Sequence, residues 1–162
     1  MMSLSVGIDY FLICRSDSLL YAIPLAQVIE TMRPLPVKQV ADMPAFVLGI
    51  SIVRGEGVPV LDTALLVSAS AGTRPARYVT IKINARTACL AVDEVIGIRH
   101  VPPALRVDVP RLLHQSNSEI LAAIGTLDAE LLVVLQSAHL ISDELWRAIN
   151  HSAEAAGDDD PS

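Results

Sequence analysis

Pro44-Ala-Phe-Val-Leu-Gly-Ile-Ser-Ile-Val-Arg-Gly-Glu-Gly-Val-Pro-Val-Leu-Asp62 is the stretch from which the fold can be read. Val47 to Val53 reads as a strand. Arg54-Gly-Glu-Gly supplies a tight turn, and Val58 to Leu61 is the return strand. Asp62 stands where an N-cap belongs, so Thr63 to Val67 is a short helix.

The same grammar continues on both sides. Tyr10 to Arg15 and Leu19 to Pro24 are continuous apolar runs of strand length, with a hairpin turn at Arg15-Ser-Asp-Ser between them. Pro24 followed by Leu25-Ala-Gln-Val-Ile-Glu predicts a short helical turn, ended by Pro34 and Pro36. Ser68 to Pro75 is small, polar and rich in breakers, hence a linker or exposed loop. Tyr78 to Ile83 alternates and predicts a half-buried strand. Thr87 to Val92 is the next strand, and Asp93 to Ile98 is a turn-helix or a strand before Pro102 and Pro103. Ile120 to Ile124 and Leu131 to Leu135 are late strands around a turn at Leu127-Asp-Ala-Glu. Ile141, Leu145 and Ile149 recur every four residues behind Ser142, a capping residue, and predict one amphipathic helix. Many short strands with frequent turns point to small β-barrels rather than a sandwich or an α/β fold.

The order of features occurs twice. Tyr21-Ala-Ile-Pro-Leu-Ala-Gln-Val-Ile lies on Ala88-Cys-Leu-Ala-Val-Asp-Glu-Val-Ile at an offset of 67 residues. Val58-Pro-Val-Leu-Asp-Thr-Ala-Leu-Leu lies on Leu132-Val-Val-Leu-Gln-Ser-Ala-His-Leu at an offset of 74, and Gly49 and Gly125 precede the turn in each half. We read one unit over 9–150, made of two related halves, 9–70 and 76–150. Each half is too short to bury much alone, so the two pack on each other or exchange elements.

Composition narrows the function. The 162 residues are 52% hydrophobic but only 4% aromatic, so the core is aliphatic and the chain folds. Net charge is −6, and the segment Ala153 to Ser162, with Glu154, Asp158, Asp159 and Asp160, holds most of it. That segment, 153–162, is expected to be a disordered acidic tail. No basic face is available to displace counterions from nucleic acid, and aromatics are too scarce for base stacking. Cys14 and Cys89 are far apart in apolar runs, which fits buried thiols in a reducing compartment. No leader sequence is expected, and no apolar stretch approaches the ~20 residues of a membrane helix. A cytoplasmic location follows. His100, His114, His139 and His151 form no ligand pattern, and no nucleophile elbow or phosphate loop is present. Neither a catalytic site, a metal nor a cofactor is expected.

The Pro44–Asp62 stretch resembles the central motif of the CheW family, the coupling proteins of bacterial chemotaxis. In that family an apolar run and a Gly lead to Arg-Gly and then to Val-Pro-Val-Leu-Asp or a close variant. Leu20-Tyr-Ala-Ile-Pro-Leu-Ala-Gln-Val-Ile-Glu looks like the family's early motif, and Leu90-Ala-Val-Asp-Glu-Val-Ile-Gly-Ile like its later one. The resemblance runs from about Asp9 to Ile149. It implies a mostly β fold of two packed, five-stranded SH3-like barrels, here followed by the C-terminal helix. It also implies a non-catalytic adaptor that bridges the cytoplasmic tips of methyl-accepting receptors to the regulatory domain of a CheA-type histidine kinase, recruited to membrane-associated arrays without inserting into the membrane. Arg54 falls on the family's arginine and Glu30 on an acidic position linked to partner binding, and the two can pair. Val28, Val53 and Gly55 complete the expected partner-binding set, with Gly55 fitting a positive-φ turn. Ile52 departs from the family, where Asn is common two residues before the arginine. The competing reading is a tandem SH3-like module for other peptides or proteins, which the scarcity of aromatics disfavours. The sequence does not choose among flagellar, pilus and other chemosensory pathways.

Overall fold

A computed structural model describes residues 10–16, 19–68, 75–101, 106–107, 121–127, 130–135 and 141–158. Among the described residues, eleven strands run in order: β1 (Tyr10–Ser16), β2 (Leu19–Pro24), β3 (Val28–Met32), β4 (Val47–Val53), β5 (Glu56–Asp62), β6 (Arg77–Ile83), β7 (Arg86–Val92), β8 (Glu94–His100), β9 (Arg106–Val107), β10 (Leu121–Leu127) and β11 (Glu130–Leu135). A 3-10 turn at Leu25–Gln27 joins β2 to β3, and α1 (Thr63–Ser68) and α2 (Asp143–Asp158) are the helices.

The strands form two sheets, ordered β8-β1-β2-β11-β10-β9 and β3-β6-β7-β5-β4. The repeat explains both orders. At an offset of 67, β1, β2 and β3 map onto β6, β7 and β8; at 74, β5 maps onto β11. The third strand of each half crosses over: β3 pairs with β6, and β8 pairs with β1. Each sheet therefore mixes strands from both halves. The parallel joints obey the same arithmetic, since Val60 opposite Cys89 becomes Val134 opposite Ala22. Gly125 is not the mate of Gly49, however. Gly49 faces Val60, and the residue facing Val134 is Ala123.

Both faces of the central strands are buried, which is why the sequence shows continuous apolar runs. Leu12, Cys14, Tyr21 and Ile23 from the first sheet meet Val79, Ile81, Leu90 and Leu61 from the second in one shared core. The alternate residues fill separate interiors. Phe11, Ile13, Leu20 and Ala22 do so for the first sheet, and Val58, Val60, Tyr78, Cys89 and Ala91 for the second. Each fully buried aliphatic side chain contributes about 1.5–3 kcal/mol relative to exposure. Helix α2 adds Trp146 and Ile149 to the shared core, and Ile141 just before it joins them. Ser142 caps it, its Oγ accepting the Leu145 amide at 3.1 Å.

The mostly β fold with two packed sheets and a C-terminal helix agrees with the sequence; three local expectations change and one open alternative is settled. Val28-Ile-Glu is strand β3, not helix; the helical turn stops at Gln27. Tyr78–Ile83 is not half-buried: Tyr78, Val79, Thr80 and Ile81 are all buried, because a second interior lies behind the shared core. Asp93 to Ile98 resolves as strand β8 rather than helix. Ala153–Asp158, expected in the tail, continue α2. The linker residues 69–74, the turn residues 128–129, and His114 and His139 lie outside the described residues.

Candidate partner-binding site

The edges of the second sheet are β3 and β4, and the chain brings them together. Beyond β3 it runs through Pro34 and Pro36 and returns beside β4. There Lys38 and Ile50 exchange backbone hydrogen bonds of 2.8 and 2.9 Å. Ser51 Oγ donates to the Pro36 carbonyl at 2.9 Å, and Tyr78 Oη donates to the Leu35 carbonyl at 3.3 Å. Leu35 and Val37 pack on the interior beneath. This irregular segment covers part of the outer edge of β4 and forms a seam between the two edge strands. Gly49 makes this close approach possible. Its φ is +146°, and a Cβ there would lie 2.3 Å from the Lys38 carbonyl oxygen.

At the end of β4 the hairpin turns on two residues, Arg54 at φ +52° and Gly55 at φ +81°. Positive φ at both positions matches the type I′ turn that suits a twisted hairpin. Arginine is an unusual occupant of that conformation, which costs a non-glycine residue about 1–2 kcal/mol. The backbone holds the side chain across the seam toward β3. Arg54 Nε donates to Glu30 Oε2 at 2.9 Å and Nη2 donates to Oε1 at 3.0 Å. The pair is bidentate, the geometry that best fixes a guanidinium against a carboxylate. The Arg54 side chain is nevertheless 76% exposed and that of Glu30 29%. An exposed pair stabilises by about 0–1 kcal/mol. That does not exceed the backbone cost, so fold stability does not account for arginine here. Its guanidinium remains open to another molecule.

The other expected site residues divide by surroundings. Val53 is buried with Val58, Val60 and Tyr78. Val28 is partly buried against the shared core. Gly55 has open space where a side chain would be. Two apolar side chains on the edge strands face outward: Ile29 on β3 is 49% exposed and Ile52 on β4 is 66% exposed. Sequence reasoning overlooked Thr80, which is 1% exposed and bonds Glu30 with its hydroxyl. No spacing marked it, because Thr80 alternates with Val79 and Ile81 and reads in the sequence as a solvent-facing position.

The remaining candidates have structural roles. Asp62 Oδ1 accepts the Leu65 amide at 3.2 Å and caps α1. Cys14 and Cys89 are buried free thiols, and burial pushes each from an ordinary 9.0 up to about 12. A thiol held protonated is a poor nucleophile. Among the described residues no cluster of His, Cys, Asp and Glu is placed to hold a metal ion. No helix among them is long and apolar enough to cross a membrane.

The fold has a solved counterpart. It matches the crystal structure of the scaffolding protein TtCheW from Thermoanaerobacter tengcongensis with a TM-score of 0.71 and 19% identity, over 83% of this chain and 92% of that one. In sequence the chain is 23% identical to the chemotaxis protein CheW of Helicobacter pylori over 126 residues, 76% of each protein. The family model for the CheW-like domain matches residues 10–145, a span that includes both sheets, the seam and the start of α2. The chain belongs to the CheW-like domain family.

Proposed function

We propose that this chain is a non-catalytic chemosensory adaptor that couples methyl-accepting receptors to a CheA-type histidine kinase. Membership of a family of chemotaxis coupling proteins supports the role. The observation that carries the site is the exposed, bidentate Arg54–Glu30 clasp on a strained turn. Strain retained at an exposed arginine is typical of residues kept for contact rather than for folding. Ile29 and Ile52 on the same two strands, with Val28 below, add apolar area for a partner helix or barrel. The adaptor works by holding receptor and kinase at high local concentration, so that receptor conformation biases kinase activity. It acts in the cytoplasm and reaches the membrane only through receptors.

Titration calorimetry tests this. The purified protein is titrated with the regulatory domain of the CheA-type kinase from its own organism and, separately, with a receptor-tip fragment. Saturable binding to both is expected, with Arg54→Ala folded but at least about tenfold weaker toward the receptor fragment. A folded protein that binds neither partner refutes the adaptor reading.

A further inference from the structure

Strand β3 carries an extra residue against β6: Val28 faces Ile81 and Glu30 faces Thr80, leaving Ile29 without an opposite number. The repeat has the same bulge. On β8, Val95 faces Cys14 and Gly97 faces Ile13, leaving Ile96 over. The offset of 67 places Ile29 on Ile96, Glu30 on Gly97 and Ile13 on Thr80. The two bulges are stabilised differently. On β8 the residue after the extra one is Gly97 at φ +145°, so backbone freedom absorbs the distortion. On β3 that position must carry a carboxylate, so glycine is excluded. There the opposing residue has changed instead, from Ile13 to Thr80. Thr80 Oγ1 accepts the Glu30 amide at 3.2 Å and donates to the Glu30 carbonyl at 3.3 Å. One hydroxyl thus bonds both backbone groups of the residue that follows the extra one.

We infer that Thr80 is a positioning residue: its hydroxyl holds the β3 bulge in the register that presents Glu30, rather than Ile29 or Thr31, to Arg54. Register matters because a slip of one residue turns every side chain to the opposite face. Without the bulge, Glu30 would exchange faces with its neighbours and the clasp could not form. Thr80 is 1% exposed in the interior of the second sheet, where valine would fill the same space without a polar group to satisfy. The hydroxyl is retained there because the bulge needs it.

The inference concerns the clasp of the proposed adaptor but is tested without a partner, so the two readings fail separately. The probe is the Arg54 Nε–Hε signal in nitrogen-15 NMR, whose exchange with water is slowed while that proton is bonded to Glu30. Thr80→Val should raise the exchange rate to that of Glu30→Gln, while Thr80→Ser keeps the wild-type rate. A folded Thr80→Val with a slow signal overturns the inference, and so does a Thr80→Ser that loses it. Should Thr80→Val fail to fold, the wild-type Glu30 amide decides. It should exchange at least about 100-fold more slowly than in an unfolded chain, and an unprotected amide overturns the inference. Loss of receptor binding with these signals intact would count against the adaptor reading alone.

Discussion

The hairpins β4–β5 and β6–β7 belong to the same sheet, and each opens its two-residue turn at positive φ with a different residue, although only the β4–β5 turn keeps positive φ at its second position. Asn84 opens the second turn at φ +57°, close to Arg54 at +52° in the first. Asparagine tolerates that conformation and is common there; arginine is not. The β6–β7 turn is exposed but stands beside α2. Its neighbour Arg86 lies over the ring of Trp146, 5.0 Å from the centroid, in a cleft with Ile83 and Asp143 that docks α2. The β4–β5 turn faces outward and holds Arg54 across the seam to Glu30. One turn therefore has the residue the backbone prefers, and the other has a residue the backbone tolerates for its side chain. Local cost separates the packing turn from the turn proposed for partner contact, the contact turn.

The largest effect is expected where the seam supports the contact turn. Gly49→Ala puts a methyl group 2.3 Å from the Lys38 carbonyl oxygen, a backbone atom that cannot swing away. It also forces alanine to φ +146°. The irregular segment must leave β4, with a loss of about 2–4 kcal/mol, read as a lower midpoint in urea. An unchanged midpoint would mean that the seam is not what holds β4 and its turn in place.

Arg54→Asn tests the comparison directly, because it gives the contact turn the residue of the packing turn. The fold should keep its stability or gain up to about 1 kcal/mol, as left-handed strain is relieved. Receptor binding should weaken about tenfold at the same time. Opposite movements of stability and affinity would separate contact from folding. A variant that loses both together would make Arg54 a structural residue, and the contrast between the turns would collapse.

Much of this was legible in the sequence, for reasons that show where legibility stops. Strand β4 and the cap at Asp62 could be read because apolar runs, turns and capping residues act locally. The repeat could be read because its offsets preserve register. Strand β3 could not. Pro24 and a run of helix-tolerant residues suggested one helical turn, but pairing with β6, some fifty residues later, decided Val28–Met32. The burial of both faces of β6 was also hidden, since Thr80 mimics a solvent-facing position. Arg54 and Glu30 were found through family resemblance. Their separation of 24 residues carries no local signal, and only the tertiary fold brings them together. Thr80 was missed for the same reason. Its meaning depends on a bulge that no residue spacing announces.

The smallest effect belongs to the packing turn. A cation over an indole contributes about 0.5–2 kcal/mol, more when water is excluded. Arg86→Ala should therefore lower stability by about 1 kcal/mol. Trp146 is the single tryptophan of the chain and is buried against the shared core, so its fluorescence reports on α2 alone. A red shift in emission is expected as the ring gains access to water, with receptor and kinase binding unchanged. The packing turn and the contact turn stand at the same end of the sheet, on the neighbouring parallel strands β5 and β7, but Arg86 packs on α2 while Arg54 reaches to β3, and substitutions that share no partner act independently. Arg86→Ala combined with Arg54→Asn should thus show the sum of the single stability changes. If removing Arg86 also weakened receptor binding, α2 would be coupled to the seam, and the division between a turn for packing and a turn for contact would no longer hold.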